Sequence, residues 1–186
     1  MRRKVPGRPS AAPRAVDPGL PPLCGARAKV LILGSFPSPK SREQGFYYGH
    51  PQNRFWPLMA ALLGAPAPAR DDLAAKRALI VDHGLAVWDV VCRCTIAGAS
   101  DASIRDVVPN AVPKLAARLG VQAVFCNGGT AARLYRKYLE PAMGPAAGTL
   151  PSTSPANAAW TLPRLTAAWG AALSPWLDAA QAGGAE

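Results

Sequence analysis

Three stretches of the chain are nearly continuous in apolar residues: KVLILG (Lys29–Gly34), LAVWDVV (Leu85–Val91) and VQAVFCNGG (Val121–Gly129). A strand with one face in water alternates apolar and polar side chains, so runs without alternation predict strands buried on both faces, the habit of a parallel sheet. GTLPSTSPAN (Gly148–Asn157) offers a short fourth strand that runs into a polar turn.

Between these runs the apolar positions recur with a helical period. Ala131, Leu134, Tyr135, Tyr138 and Leu139 form one stripe while Arg133, Arg136 and Lys137 face elsewhere, which predicts a helix with Thr130 as its N-cap. The LMAALLG that follows Pro57 predicts a helix stopped by Gly64, and Asp71 or Asp72 can cap a helix through LAAKRALIVDHG. A last helix carries Leu162, Leu165, Trp169, Leu173 and Trp176, with Pro175 expected to kink or split it. Strands alternating with helices imply an α/β fold, a three-layer α/β/α sandwich around a mostly parallel four-stranded central sheet. In such folds ligands bind outside the carboxyl ends of the strands. The loop after Gly34, the Trp88–Arg93 segment and the Pro151–Asn157 turn should converge there.

Composition refines this picture at the N-terminus. Residues 1–28 hold six prolines, six of the 21 Lys and Arg and one of the 11 acids, so they carry half of the net charge of +10. With little apolar surface to offset the entropy of ordering, this stretch is expected to be a disordered basic tail, leaving residues 29–186 as a single domain. The basic balance suits a polyanionic partner. No apolar leader follows Arg2-Arg3-Lys4, so a cytoplasmic protein with reduced thiols is expected. Cys92 and Cys94 do not have the spacing of a common metal motif, and no metal or other cofactor is expected. No apolar run approaches the roughly 20 residues of a membrane span.

The chemistry concentrates in Gly34–Trp56, GSFPSPKSREQGFYYGHPQNRFW, which packs prolines, the aromatic triplet Phe46-Tyr47-Tyr48, His50, Asn53 and Phe55-Trp56 into one connection. The order Gly-Ser-Phe-Pro, then His-Pro-x-Asn-x-Phe-Trp, then Ser-x-Ser-Pro resembles the uracil-DNA glycosylase superfamily, and within it the hypoxanthine (deoxyinosine) DNA glycosylase branch. The resemblance spans about Lys29 to the final helix. It implies a monomeric, monofunctional glycosylase that hydrolyses the N-glycosidic bond of a deaminated base in damaged DNA, hypoxanthine first. A uracil-directed enzyme and a non-catalytic nucleic-acid-binding domain are the alternatives.

That chemistry has definite needs. The target base must leave the duplex and be gripped by stacking and by hydrogen bonds to its polar edge. Donors must then meet the negative charge that develops on the departing base. In mismatch-specific relatives a Gly-Ile-Asn-Pro loop supplies a water-positioning Asn, whereas this chain has Gly34-Ser35-Phe36-Pro37. The resemblance therefore shifts the catalytic amide to Asn53, which from the residues alone reads first as a turn-stabilising Asn after His50-Pro51. By the same resemblance Tyr48 stacks on the extruded base, and Phe36, Phe46, His50 and Asp89 are further base-binding candidates. His50 can also be a structural turn residue, and Asp89 a strand-end cap. Phe55 and Trp56 suit core anchors. Ser35 and Ser38 near the strand end, together with Ser152, Ser154, Pro155 and Asn157, are expected to contact DNA, with Ala156 standing where larger relatives insert a Leu wedge. No Lys lies in the matched motifs, so a Schiff-base nucleophile, and with it lyase activity, is not expected.

Overall fold

The computed structural model describes residues 14–16, 19–96, 104–144 and 146–177. Its elements run β1 (Arg14–Val16), β2 (Val30–Gly34), α1 (Pro39–Gln44), α2 (Phe55–Leu62), α3 (Leu73–Val81), β3 (Leu85–Asp89), β4 (Val91–Ile96), β5 (Arg105–Pro109), α4 (Val112–Leu119), β6 (Ala123–Asn127), α5 (Gly129–Tyr138), α6 (Glu140–Met143), β7 (Gly148–Leu150) and α7 (Leu162–Leu173). The three strands expected from the apolar runs and the short fourth expected in Gly148–Asn157 form one sheet in the order β3-β2-β6-β7, and every pairing in it is parallel.

The absence of alternation in β2 now has its cause. Leu31 and Leu33 point into a core shared with Leu115 and Leu119 of α4 and Leu134 and Tyr135 of α5. Val30 and Ile32 point the other way, toward Leu58 and Met59 of α2, Ile80 of α3 and Leu165 and Trp169 of α7. Helices thus cover both faces, giving the three layers. Fully burying each such aliphatic side chain contributes about 1.5–3 kcal/mol.

Local chemistry sets the helix ends. The Asp72 carboxylate caps α3 by accepting from the Ala75 N–H at 2.8 Å. Thr130 does not cap α5, because the helix starts one turn-position earlier, from Gly128 at φ 99°. A Cβ at Gly128 would meet that of Ser152 at 2.9 Å, so tertiary contact dictates this glycine start. Pro175 neither kinks nor splits α7, which ends at Leu173 before the proline is reached.

A second, antiparallel sheet of order β1-β4-β5 was not foreseen from the sequence. Its strand β1 lies within the expected tail, pairing Arg14 with Ile96 and Val16 with Cys94. Residues 19–28 are also packed against the domain. Leu23 and Ala28 are buried, Leu23 pairs with Val87, and the Tyr47 hydroxyl and Trp88 indole donate to the carbonyls of Pro21 and Leu20 at 2.9 Å each. The expected boundary at Ala28 therefore falls inside packed chain: these few residues obtain their stability from side chains far along the sequence. The remainder of the expected tail, residues 1–13 and 17–18, lies outside the described residues. Among the described residues no helix is long and apolar enough to cross a membrane.

Candidate active site

At the carboxyl ends of β2, β3, β6 and β7 the loops enclose a cavity of about 500 Å³. Strand β2 ends at Gly34, against which the Asp89 carboxylate packs so closely that a Cβ there would come within 2.3 Å of Oδ1. Asp89 itself ends β3, is 4% exposed, and reaches the cavity with its backbone carbonyl held by the Asn110 amide at 2.9 Å. Only a glycine at position 34 lets this acid turn inward.

The aromatic wall comes from the next loop. Tyr48 sits at φ 53°, a left-handed conformation that costs an L residue roughly 1–2 kcal/mol. Its ring lies on Phe55 with centroids 3.9 Å apart and planes 24° apart. Phe55 is fully buried, so it backs the tyrosine as a rigid plate. Burial of the Tyr48 hydroxyl, then the charge of Asp89, push this phenol well above its ordinary value, with a smaller opposing contribution from the Asn127 amide; the group stays neutral. Phe36 forms another part of the wall, with the Arg42 guanidinium 5.4 Å above its ring and bonded to the Pro37 carbonyl.

Asn53 takes the turn-stabilising role and also lines the cavity. Its Oδ1 accepts from the Phe55 N–H at 3.0 Å at the start of α2, and its own N–H donates to the His50 carbonyl at 2.9 Å. With the oxygen committed to the chain, the amide orientation is fixed, and the Nδ2 group is what remains to serve the cavity that Asn53 lines.

The opposite rim is the turn after β7. Thr153, fully buried at its centre, is gripped twice by Asn127, whose Nδ2 donates to its Oγ1 and whose Oδ1 accepts its N–H, both at 3.0 Å. Ser152 and Ser154 hydroxyls accept from the N–H groups two residues on, at Ser154 and Ala156. The Asn157 amide donates to the Ser152 carbonyl at 3.0 Å, and Ala156 stands exposed at the tip.

A family model of the "Uracil DNA glycosylase superfamily" matches residues 21–173. The chain belongs to that superfamily. The superfamily match begins inside the stretch first taken for a tail, consistent with the packing of residues 19–28. Among curated relatives, the chain is 31% identical over 75% of its length to a hypoxanthine DNA glycosylase of Methanosarcina acetivorans, covering 87% of that protein. It is 33% identical over 47% of its length to a hypoxanthine DNA glycosylase of Methanosarcina barkeri, covering 55% of that one. A solution NMR structure from Methanosarcina acetivorans, described as a uracil DNA glycosylase, superposes with a TM-score of 0.70 at 29% identity, covering 85% of this chain and 96% of that one.

Within this superfamily fold the candidates divide. Ser35, Phe36, Ser38, Tyr48, Asn53 and Asp89 line the cavity from one side, and Ser152, Ser154, Ala156 and Asn157 from the other. Phe46, His50 and Pro155 do not. Phe46 stacks on Trp56 with centroids 5.8 Å apart, while His50 accepts the Gln52 N–H on its ring nitrogen at 3.2 Å, the structural alternative named for it above. Ser38 caps α1. Sequence reading passed over Asn127, Thr153 and Arg54. Asn127 ends the apolar run of β6 and Thr153 stands between the two serines, but only the fold brings them together.

Proposed function

We propose that this protein is a monofunctional DNA glycosylase that hydrolyses the N-glycosidic bond of a deaminated base, hypoxanthine foremost, and leaves an abasic site. One observation carries the reading: an aromatic plate, an acceptor and a donor meet in one cavity, as Tyr48, Asp89 and the Nδ2 group of Asn53. An extruded base stacks on Tyr48, contributing roughly 1–3 kcal/mol. An ionised carboxylate only accepts, so Asp89 selects a base edge that carries an N–H. Deamination of adenine creates such an edge, because the ring nitrogen that accepted in adenine becomes a donor in hypoxanthine. As the bond breaks, positive charge grows on the sugar and negative charge on the base. Asn53 then donates to the departing base from a position it already holds, with no reorganisation at the moment of reaction. Water takes the sugar carbon, and the rim of Ser152 and Ser154 holds the flanking phosphates.

The names borne by the Methanosarcina relatives support hypoxanthine as the substrate. Uracil is the second reading, since its ring N–H would satisfy Asp89 equally. Among the described residues no lysine lines the cavity, which supports hydrolysis without strand cleavage by the enzyme. We take the enzyme to act as a monomer in the cytoplasm. The test uses duplexes carrying a single hypoxanthine, uracil or xanthine. Strand breaks should appear only after alkali and fastest for hypoxanthine; no release from any of the three would overturn the assignment.

A further inference from the structure

Arg54 stands next to Asn53 in sequence, yet its guanidinium turns away from the cavity and toward the rim. Its Nε donates to the Thr153 carbonyl at 3.3 Å, one terminal nitrogen donates to the Trp160 carbonyl, and the other to those of Ser154 and Asn157, the last at 3.1 Å. Its backbone N–H also donates to the Thr153 carbonyl, at 3.1 Å. Four of the five side-chain donors of the guanidinium are thus spent on main-chain oxygens of one turn. A half-buried cation that makes such bonds does two things. It fixes the turn to the N-cap of α2, and it draws the turn's carbonyls inward, off the face where Ser152 and Ser154 await phosphate. Carbonyl oxygens and phosphate oxygens both only accept, so carbonyls on that face would repel the DNA backbone.

We propose that Arg54 is a positioning residue for nucleotide extrusion: it holds the Ser152–Asn157 turn in the shape that receives the flanking phosphates and fills the vacated stack. This rests on the glycosylase reading above. It assigns Arg54 to the flipping step and not to bond cleavage, although the catalytic candidate is its neighbour. A lysine keeps the charge but loses the planar fork that reaches several carbonyls at once.

The experiment compares wild type, Arg54→Lys and Asn53→Asp in single-turnover base release from a hypoxanthine duplex and from the same lesion in a single strand, where no pair must be broken. Arg54→Lys should slow the duplex reaction at least about tenfold while leaving the single-strand rate within about threefold, with far-ultraviolet circular dichroism unchanged. Asn53→Asp should slow both alike. Equal loss on both substrates for Arg54→Lys, or no loss on either, would overturn the proposal. A second measurement needs no catalysis: affinity for a duplex with a reduced abasic site should weaken about tenfold in Arg54→Lys, and equal affinity would likewise overturn it. Wild type that releases no base would instead fault the glycosylase reading, leaving the binding comparison to decide the role of Arg54.

Discussion

Asn53 holds the start of α2 with its side-chain oxygen, and the substrate role proposed for its Nδ2 group can be separated from that bond. An Asp at this position keeps an oxygen for the Phe55 N–H but has no N–H to offer the cavity. Asn53→Asp is therefore expected to melt like wild type while single-turnover release falls roughly a hundredfold, the usual cost of losing one preorganised donor. Asn53→Ala should lose that rate and also about 1 kcal/mol of stability with the helix-start bond. Differential scanning calorimetry beside single-turnover kinetics checks both. Much of the site was legible at this scale because Tyr48, Asn53, Asp89 and the Ser-x-Ser turn are chemically unusual for their segments. Arg54 was not, since an arginine in a basic chain carries no mark; its role exists only through carbonyls about a hundred residues away. Gly34 announced a tight strand end, but the reason, the inward Asp89, needed β3 alongside β2.

At the scale of elements, continuous apolar runs identified three of the four strands of the parallel sheet, because burial on both faces removes the polar half of the pattern; the short edge strand β7 was marked instead by the polar turn it runs into. The antiparallel sheet escaped for the converse reason. VCRCTI mixes exposed and buried positions, RDVVP has none that is fully buried, and the pairing of β1 with β4 joins segments some eighty residues apart, which no local period reports. The pairing of Arg14–Val16 and the packing of residues 19–28 allow the N-terminal region to be tested in two steps. Removing residues 1–13 should leave the melting temperature unchanged and flatten the salt dependence of DNA binding, because Arg2, Arg3, Lys4 and Arg8 go with them. Removing residues 1–28 should in addition lower the melting temperature by several degrees, because Leu23 is lost from the core along with the acceptors of Tyr47 and Trp88. Thermal melts and binding titrations from low to high salt distinguish the two truncations.

At the scale of the whole molecule, the buried phenols of Tyr47, Tyr48 and Tyr135 and the buried thiol of Cys126 stay neutral, which sets how the fold responds to alkali. Burial pushes the Cys126 thiol from 9.0 up to about 12 and the Tyr135 phenol from 10.0 up to about 12, and Tyr47 and Tyr48 are raised as well. The unfolded chain releases these protons near the ordinary values while the folded chain keeps them, so above those values the unfolded state binds fewer protons and stability falls as pH rises. Melting temperature should hold with respect to these groups below about pH 9 and decline from there toward pH 12, and Cys126→Ala should delay the onset to about pH 10, where the tyrosines begin. One further consequence follows from the bonds that tie Arg54 to the turn after β7. A chain leaving the ribosome presents Tyr48 and Asn53 early, but the rim that Arg54 shapes lies beyond residue 150 and is braced by Trp169 of α7. Domains fold during synthesis as their contacts become available, and contacts of long sequence separation close last. A nascent or prematurely terminated product therefore lacks both the rim that Arg54 shapes and the Leu165 and Trp169 that complete the core behind Phe55 and Tyr48. The coupling of residue 54 to residues 153–160 makes completion of translation the condition for handling DNA.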